Sequence, residues 1–271
     1  MATEIVEEYE VSITRACRLM EIHRSYFYYV DKSDDAEVEA AIREAGQFGE
    51  GFWKIFKIIR RQGHTWNHKK VYRVYKNLHY EKRSRLKKRL PARVKTPLVT
   101  PEEPNTTWSI DFVSDVVESG RKFRVLNVLD DADRSVVAQE ISMSMPAERV
   151  IKSLEKVIWI HGKPKNIRCD NGPEFISKLF QDWCKLNDIN LLYTQPGCPT
   201  QNSYIERFNG SYRRAVLDAY LFRNIDEVRE ITDKWMTYYN EQRPHDALND
   251  MSPKQYREHL VDVLDFDKQS Y

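Results

Sequence analysis

The stretch "TWSIDFVSDVVESGRKFRVLNVLDDA", residues 107–132, sets the class of the fold. Two apolar runs, 107–117 and 123–132, flank "ESGRK", whose glycine and polar neighbours suit a tight turn. The pair predicts an antiparallel hairpin. Asp111 stands in the middle of the first run, in "SIDFV". A charge inside an apolar strand is costly unless it meets a cation or hydrogen bonds. This carboxylate therefore needs a reason to be there.

Downstream, apolar runs alternate with helical periodicity. "SVVAQEISM" (135–143) reads as a third strand, and Pro146 opens a helix reaching about Trp159. "KNIRCD" (165–170) is a short buried strand, "PEFISKLFQDWCKLND" (173–188) a helix and "NLLYTQ" (190–195) a strand. After the loop "PGCPTQN", one long helix is expected from Ser203 to Phe222 and another from Asp226 to Tyr239. The order β-β-β-α-β-α-β-α-α predicts an α/β fold. Three antiparallel strands are extended by parallel ones through crossover helices, which makes a mixed five-stranded sheet.

Upstream, the pattern is helical. "SITRACRLMEIHRSYFYYV" (12–30) reads as helix, tight turn, helix, compatible with a helix-turn-helix, and residues 36–47 read as helical. Phe52, Ile55, Ile58 and Ile59 form one apolar stripe, and Val71, Val74, Tyr75 and Leu78 another. Lys54, Lys57, Arg60, Arg61, Lys69, Lys70 and Arg73 fill the remaining faces. The segment 81–104 then carries eight Lys/Arg between 82 and 95 and four prolines, so it reads as an extended linker. The expected organisation is a small all-helical, helix-turn-helix-like DNA-binding region (1–80), a basic linker (81–104), an α/β core (105–225) and a helical extension (226–271).

Charge is unevenly distributed along the 271 residues, although the total is only +2. Residues 1–50 carry 5 basic and 12 acidic side chains, whereas residues 51–100 carry 16 basic and 1 acidic. A cationic block of net +15, rich in aromatic residues, is the footprint of a nucleic acid partner. No apolar run approaches a membrane span, and the acidic "MATEIVEEYE" is no signal peptide, so a cytoplasmic, nucleoid-associated protein without a membrane partner is expected. Cys17, Cys169, Cys184 and Cys198 form no C-x-x-C pair and are expected as reduced thiols. His64 and His68 have a spacing that can bind zinc, yet no cysteine pair accompanies them; a surface or DNA-facing role is the expectation.

Two more carboxylates bear on Asp111. Asp170 ends the fourth strand, at the corner "CDNGPEF", and Glu206 lies in the first turns of the long helix, with 35 residues between them. Each has an ordinary reading: a structural Asp, a turn or capping Asp, a Glu at the positive end of a helix. The order of the fold, however, sends all three to one edge of one sheet, where ligands of α/β sheets bind.

"WSIDF", "CDNGPEF" with its 35-residue spacing, "NSYIERFNGSYRR" and "YYNEQRPHDAL..MSPKQY" together resemble the DDE transposases of the IS3 type and, more distantly, retroviral integrases. The resemblance spans essentially the whole chain. It implies an RNase H-like catalytic core, DNA end cleavage and strand transfer, and Asp111, Asp170 and Glu206 as the catalytic, metal-binding triad. Two Mg²⁺ ions about 3.5–4 Å apart, with Mn²⁺ able to substitute, would activate the nucleophile and stabilise the leaving 3′-oxygen. Asp111 would bridge them, Asp170 bind one and Glu206 the other. Arg213 matches the family's basic position seven residues after the glutamate, and shares its helix face if the helix is regular. Gly172 would let backbone approach phosphate, and Asn171 would orient Asp170. With Lys69, Lys70 and Arg73, these are the expected DNA contacts; Arg207 and Arg214 are as well explained by helix exposure. "RPHDAL" reads as structural packing, so His245 is given no catalytic role. The implied partners are terminal inverted repeats, target DNA, further copies of the chain on DNA, and an upstream-frame helix-turn-helix protein or fusion. The rival functions are a DNA-binding regulator with a silent core and an RNase H-type nuclease.

Overall fold

The computed structural model describes residues 2–28, 35–81, 98, 100–195 and 199–260. They fall into two units, Met1–Ala40 and Ala41–Tyr271. The first contains α1 (Ala2–Tyr9), α2 (Ile13–Leu19), α3 (Arg24–Phe27) and the start of α4 (Ala36–Ala45). Ser12 caps α2 by accepting from the Arg15 N–H, and His23 caps α3 through the Ser25 N–H. The helix-turn-helix reading thus finds its two helices, but the second is a single turn. The end of its predicted range, residues 29–30, lies outside the described residues. Helix α1 is an addition to the expected elements: its stretch reads in sequence only as an acidic terminus.

The second unit is built on five strands: β1 (Thr107–Val116), β2 (Lys122–Asp130), β3 (Val136–Ser142), β4 (Asn166–Cys169) and β5 (Asn190–Tyr193). Their order is β3-β2-β1-β4-β5. The first three are antiparallel, with Trp108 opposite Asp130 and Val116 opposite Lys122; β4 and β5 add in parallel. This is the mixed sheet expected from the sequence. Because side chains alternate across a strand, Trp108 and Ile110 enter a core with Leu126, Val128 and residues of α7 (Ala147–His161) and α8 (Lys178–Leu186). Ser109, Asp111 and Val113 therefore face the other way.

That second face is covered by α9 (Ser203–Tyr212) against β1 and β2, and by α10 (Ile225–Glu241) against β3. An aromatic cluster joins the two helices: Phe208 lies 5.4 Å from Trp235 and 5.1 Å from Tyr239, and Tyr212 lies 5.2 Å from Trp235. Contacts of this kind contribute about 0.5–1.5 kcal/mol each beyond the area they bury.

The basic hairpin of α5 (Phe52–Arg61) and α6 (His68–Asn77) belongs to this same unit and closes on its two apolar stripes, with Ile55, Ile59, Val71 and Val74 buried. Some of its charge is spent internally. Lys57 pairs with Asp246 (3.3 Å) and Asp250, Arg61 donates to the Asp250 carbonyl, and Glu50 just ahead of α5 pairs with Arg243 at 2.9 Å. The basic run 82–95 lies outside the described residues.

Three boundaries differ from expectation. Helix α8 starts at Lys178, not at Pro173, because Ser177 caps it and residues 173–177 are used in turns closed on the Gly172 carbonyl. The long helix 203–222 is not regular. After Tyr212 it passes into a π turn, Arg213–Leu217, with the Asp218 N–H bonded to the Arg213 carbonyl at 2.7 Å. Beyond α10, residues 253–260 form one more helix, α11, which sends Arg257 to the buried Asp130 and Asp133. Cys17, Cys169 and Cys184 are free thiols, and Cys198 lies outside the described residues. Among the described residues no helix is long and apolar enough to cross a membrane.

Candidate active site

The β1–β4 register sets the site. Its last pairs are Trp108 with Ile167 and Ser109 with Arg168. Two residues further along each strand stand Asp111 and Asp170, the latter where β4 leaves the sheet. Here the sheet changes from antiparallel to parallel neighbours, the kind of junction at which such sheets bind ligands.

Asp111 is fixed by two donors. One oxygen accepts the Phe112 N–H at 2.8 Å, and the other accepts the Asn209 amide at 2.8 Å. Asn209 in turn accepts from Asn127 at 2.7 Å, and Asn127 accepts from Gln139 at 2.9 Å. Asn127 lies opposite Asp111 across β1–β2, and Gln139 opposite Asn127 across β2–β3. A chain of amides therefore crosses the sheet, rises to α9 and returns to the carboxylate. None of these three amides stood out in the sequence, although Asn209 sits inside "NSYIERFNGSYRR".

Burial raises the Asp111 carboxyl to about 6, opposed by its hydrogen bonds and helped by the charges of Asp170 and Glu206. The three carboxylates therefore share one field. Glu206, also raised by burial, lies one turn before Asn209 on the same face of α9, so the helix that orients Asp111 also delivers Glu206. Among the described residues none of the three forms an ion pair, and no three acidic, His or Cys side chains, these three included, stand close enough together to hold a metal ion.

The corner at Asp170 is braced on all sides. Asp170 accepts the Gly172 N–H at 2.9 Å, and Asn171 donates to the Thr194 carbonyl at the end of β5. Asn171 thus ties the turn to β5 and does not bond to Asp170. Glu174 pairs with Arg124, and Phe175 stacks on Phe112 at 5.0 Å. A Cβ at Gly172 would meet the Asp170 carboxylate at 3.0 Å, so glycine serves here to leave room for the carboxylate. Its φ is not positive.

Arg213 lies on the Glu206–Asn209 side of the helix, its N–H still bonded to the Asn209 carbonyl, and its side chain reaches the end of β1. There it donates to the Ser114 carbonyl at 2.8 Å, between Asp115 (3.8 Å) and Asp218 (3.7 Å). Lys69 and Arg73 are exposed on α6, and Lys70 is half-buried. His64 stacks on Trp66 at 4.1 Å, and the His68 ring lies 6.3 Å from exposed Trp53.

Two integrase core domain families match the chain, over residues 101–199 and 187–253. The chain is 36% identical over 258 residues to the insertion element IS407 uncharacterized 31.7 kDa protein of Burkholderia multivorans, covering 93% of this chain and 92% of that one. It is 26% identical over 263 residues to the putative transposase InsK for insertion sequence element IS150 of Escherichia coli, covering 89% and 91%. Its fold is similar to that of a chain in the simian T-cell lymphotropic virus intasome complexed with a PP2A regulatory subunit. There the TM-score is 0.52 and the identity 18%, over 80% of this chain and 74% of that one. With a mixed RNase H-like sheet, an integrase core over residues 101–253 and an insertion-element relative 36% identical along most of its length, the chain belongs to the insertion-sequence DDE transposases, enzymes of DNA integration and transposition.

Proposed function

We propose that Asp111, Asp170 and Glu206 are the carboxylates that carry out cleavage and joining of the element's DNA ends. The observation that carries this reading is Asp111 itself: a carboxylate in mid-strand, held by an amide chain and raised by burial, to which the charges of Asp170 and Glu206 add. Such an arrangement is unfavourable in the absence of a cation. The donors are all oxygens, which suits a hard divalent ion, Mg²⁺ with Mn²⁺ as a substitute. Asp111 would hold both ions of a pair, Asp170 one and Glu206 the other. When bound, such ions supply an activated oxygen nucleophile and stabilise the leaving 3′-oxygen.

The chain's own residues prepare this. The Asn209 amide and the Phe112 N–H keep Asp111 in one orientation, and bonds from Gly172 and Asn171 brace the Asp170 turn. Glu206, on the Asn209 face of α9, would complete the set. The DNA contacts assigned to Arg213, Asn171, Gly172, Lys69, Lys70 and Arg73 belong to the same proposal. So do a DNA-binding role for residues 1–80 and the basic linker 81–104, assembly of several copies on terminal inverted repeats and target DNA, a helix-turn-helix partner from an upstream frame, and a cytoplasmic location. The test is amide substitution. Asp111→Asn, Asp170→Asn and Glu206→Gln each abolish end cleavage and strand transfer while circular dichroism and melting stay near wild type. Strand transfer retained by any one variant removes that residue from the triad.

A further inference from the structure

A cavity of about 290 Å³ lies on the far side of α9 from Glu206. Lys54, Arg134, Arg207, Arg214, Arg243 and His245 line it, and its one carboxylate, Asp246, is paired with Lys57 at 3.3 Å. Tyr204, Arg207, Ser211 and Arg214 recur at helical spacing and form a single stripe, roughly 140° round the helix from the stripe of Glu206, Asn209 and Arg213. One helix thus serves two sites: one face presents carboxylates, the other cations.

Among the described residues, two buried nitrogens of the lining lack hydrogen-bond partners: Nη1 of Arg134 and Nε2 of His245. Buried polar atoms are almost always paired, so each orphan needs an explanation. Arg134 is held in place at some cost: its φ of 62° is left-handed, a region that favours glycine, and its guanidinium lies 3.5 Å from the Tyr204 ring. Its other terminal nitrogen contacts only Thr100, at 3.4 Å. Arg207 and Arg214, exposed at the rim, have no carboxylate partner among the described residues. Cations outnumber carboxylates in the lining, with Arg243 paired to Glu50 at 2.9 Å. Burial and the charges of Arg243, Lys54 and Arg134 hold the His245 imidazole neutral, lowered to about 2.

We propose that this cavity is a second phosphate subsite, taking a backbone phosphate of DNA that passes along α9 on the side away from the catalytic carboxylates. Arg134 would supply the buried donor, and Arg207 and Arg214 the rim. The inference rests on the reading of this chain as a DNA enzyme. A planar guanidinium fork suits a phosphodiester oxygen pair, which is why arginine, not lysine, dominates the lining.

The experiment is duplex binding by the full chain, followed by fluorescence anisotropy across a salt series, for wild type, Arg207→Gln and Arg134→Gln. Arg207 is exposed, so its variant keeps the fold even if loss of Arg134 loosens the β2–β3 turn. Each variant should bind more weakly, with a log–log salt slope shallower by about 0.9, the loss of one phosphate contact. In a second arm, inorganic phosphate and then duplex are titrated while the His245 ring is followed by NMR; both should move the ring in wild type. Unchanged affinity and slope in Arg207→Gln, with DNA still bound and cut, would overturn the subsite and leave the catalytic reading intact. A ring that responds to phosphate but not to duplex would overturn the DNA assignment. A chain that binds no duplex at all would sink both readings.

Discussion

Asn209 decides how Asp111 points. It donates to the carboxylate and accepts from Asn127, so its removal orphans one buried amide and frees one Asp111 oxygen. Leaving a buried polar group unpaired costs about 1–3 kcal/mol. Asn209→Ala should therefore lower the unfolding free energy in urea by that amount and reduce cleavage, while duplex affinity remains near wild type because no phosphate contact is lost. Asn209→Asp should be worse for activity, since it sets a second negative charge against Asp111. A variant with normal cleavage would show that the amide chain is ornamental to catalysis. At this scale the sequence was only half legible. Asp111 stood out as a charge inside an apolar strand; Asp170 and Glu206 have ordinary local readings and were singled out by the order of the fold and by the motifs around them. Asn127 and Gln139 look like ordinary strand residues until their cross-strand partners are known.

The helix carrying Glu206 shows what local periodicity misses. Its first ten residues are regular and set the carboxylate face, but the π turn at Arg213–Leu217 adds a residue to the ring and redirects the chain beyond it. Arg213, still in register with α9, is both a candidate DNA contact and a strut on the Ser114 carbonyl. Arg213→Ala should weaken end binding and cleavage and leave metal affinity intact, whereas Arg213→Lys should keep part of the activity because charge survives without the fork. Its side chain is 41% exposed, so the loss of its two ion pairs should cost well under about 1 kcal/mol. Anisotropy and thermal melting check this together. A fall in melting temperature with unchanged DNA affinity would make Arg213 a strut alone.

At the scale of the whole molecule, α11 holds the turn between β2 and the edge strand β3. Arg257 in α11 meets Asp133 and Asp130, both fully buried at the β2–β3 turn, more than 120 residues away in sequence. Removing one partner of such a pair leaves buried charge uncompensated, at about 3–5 kcal/mol. Arg257→Ala should thus destabilise the fold strongly. The pH dependence follows from Asp130, whose carboxyl burial already raises to about 6, with Asp133 adding to it and Arg257 opposing. An acid raised in the folded state disfavours folding while ionised, and that cost disappears as pH falls through its folded value. The variant, lacking the opposing cation, should therefore lose more stability at pH 8 than at pH 5, measured by urea unfolding at both. An equal loss at the two values would mean that the acids are solvated once the helix lets go.

What the sequence determined by itself is what neighbours in the chain encode. Alternation in 107–132 specified the hairpin, the β-β-β-α-β-α-β order specified the mixed sheet, and that order nominated Asp111, Asp170 and Glu206 as candidates. Local propensity and side-chain period act over a few residues, so they can be read without the fold. What only the tertiary structure decided depends on register and on helix rotation. Asp111 and Asp170 come level through the β1–β4 pairing, Asn209 reaches Asp111 across 98 positions, and α9 turns one face to carboxylates and the other to a cationic cavity. Such contacts are set by how whole elements pack, and no short window of sequence carries that information.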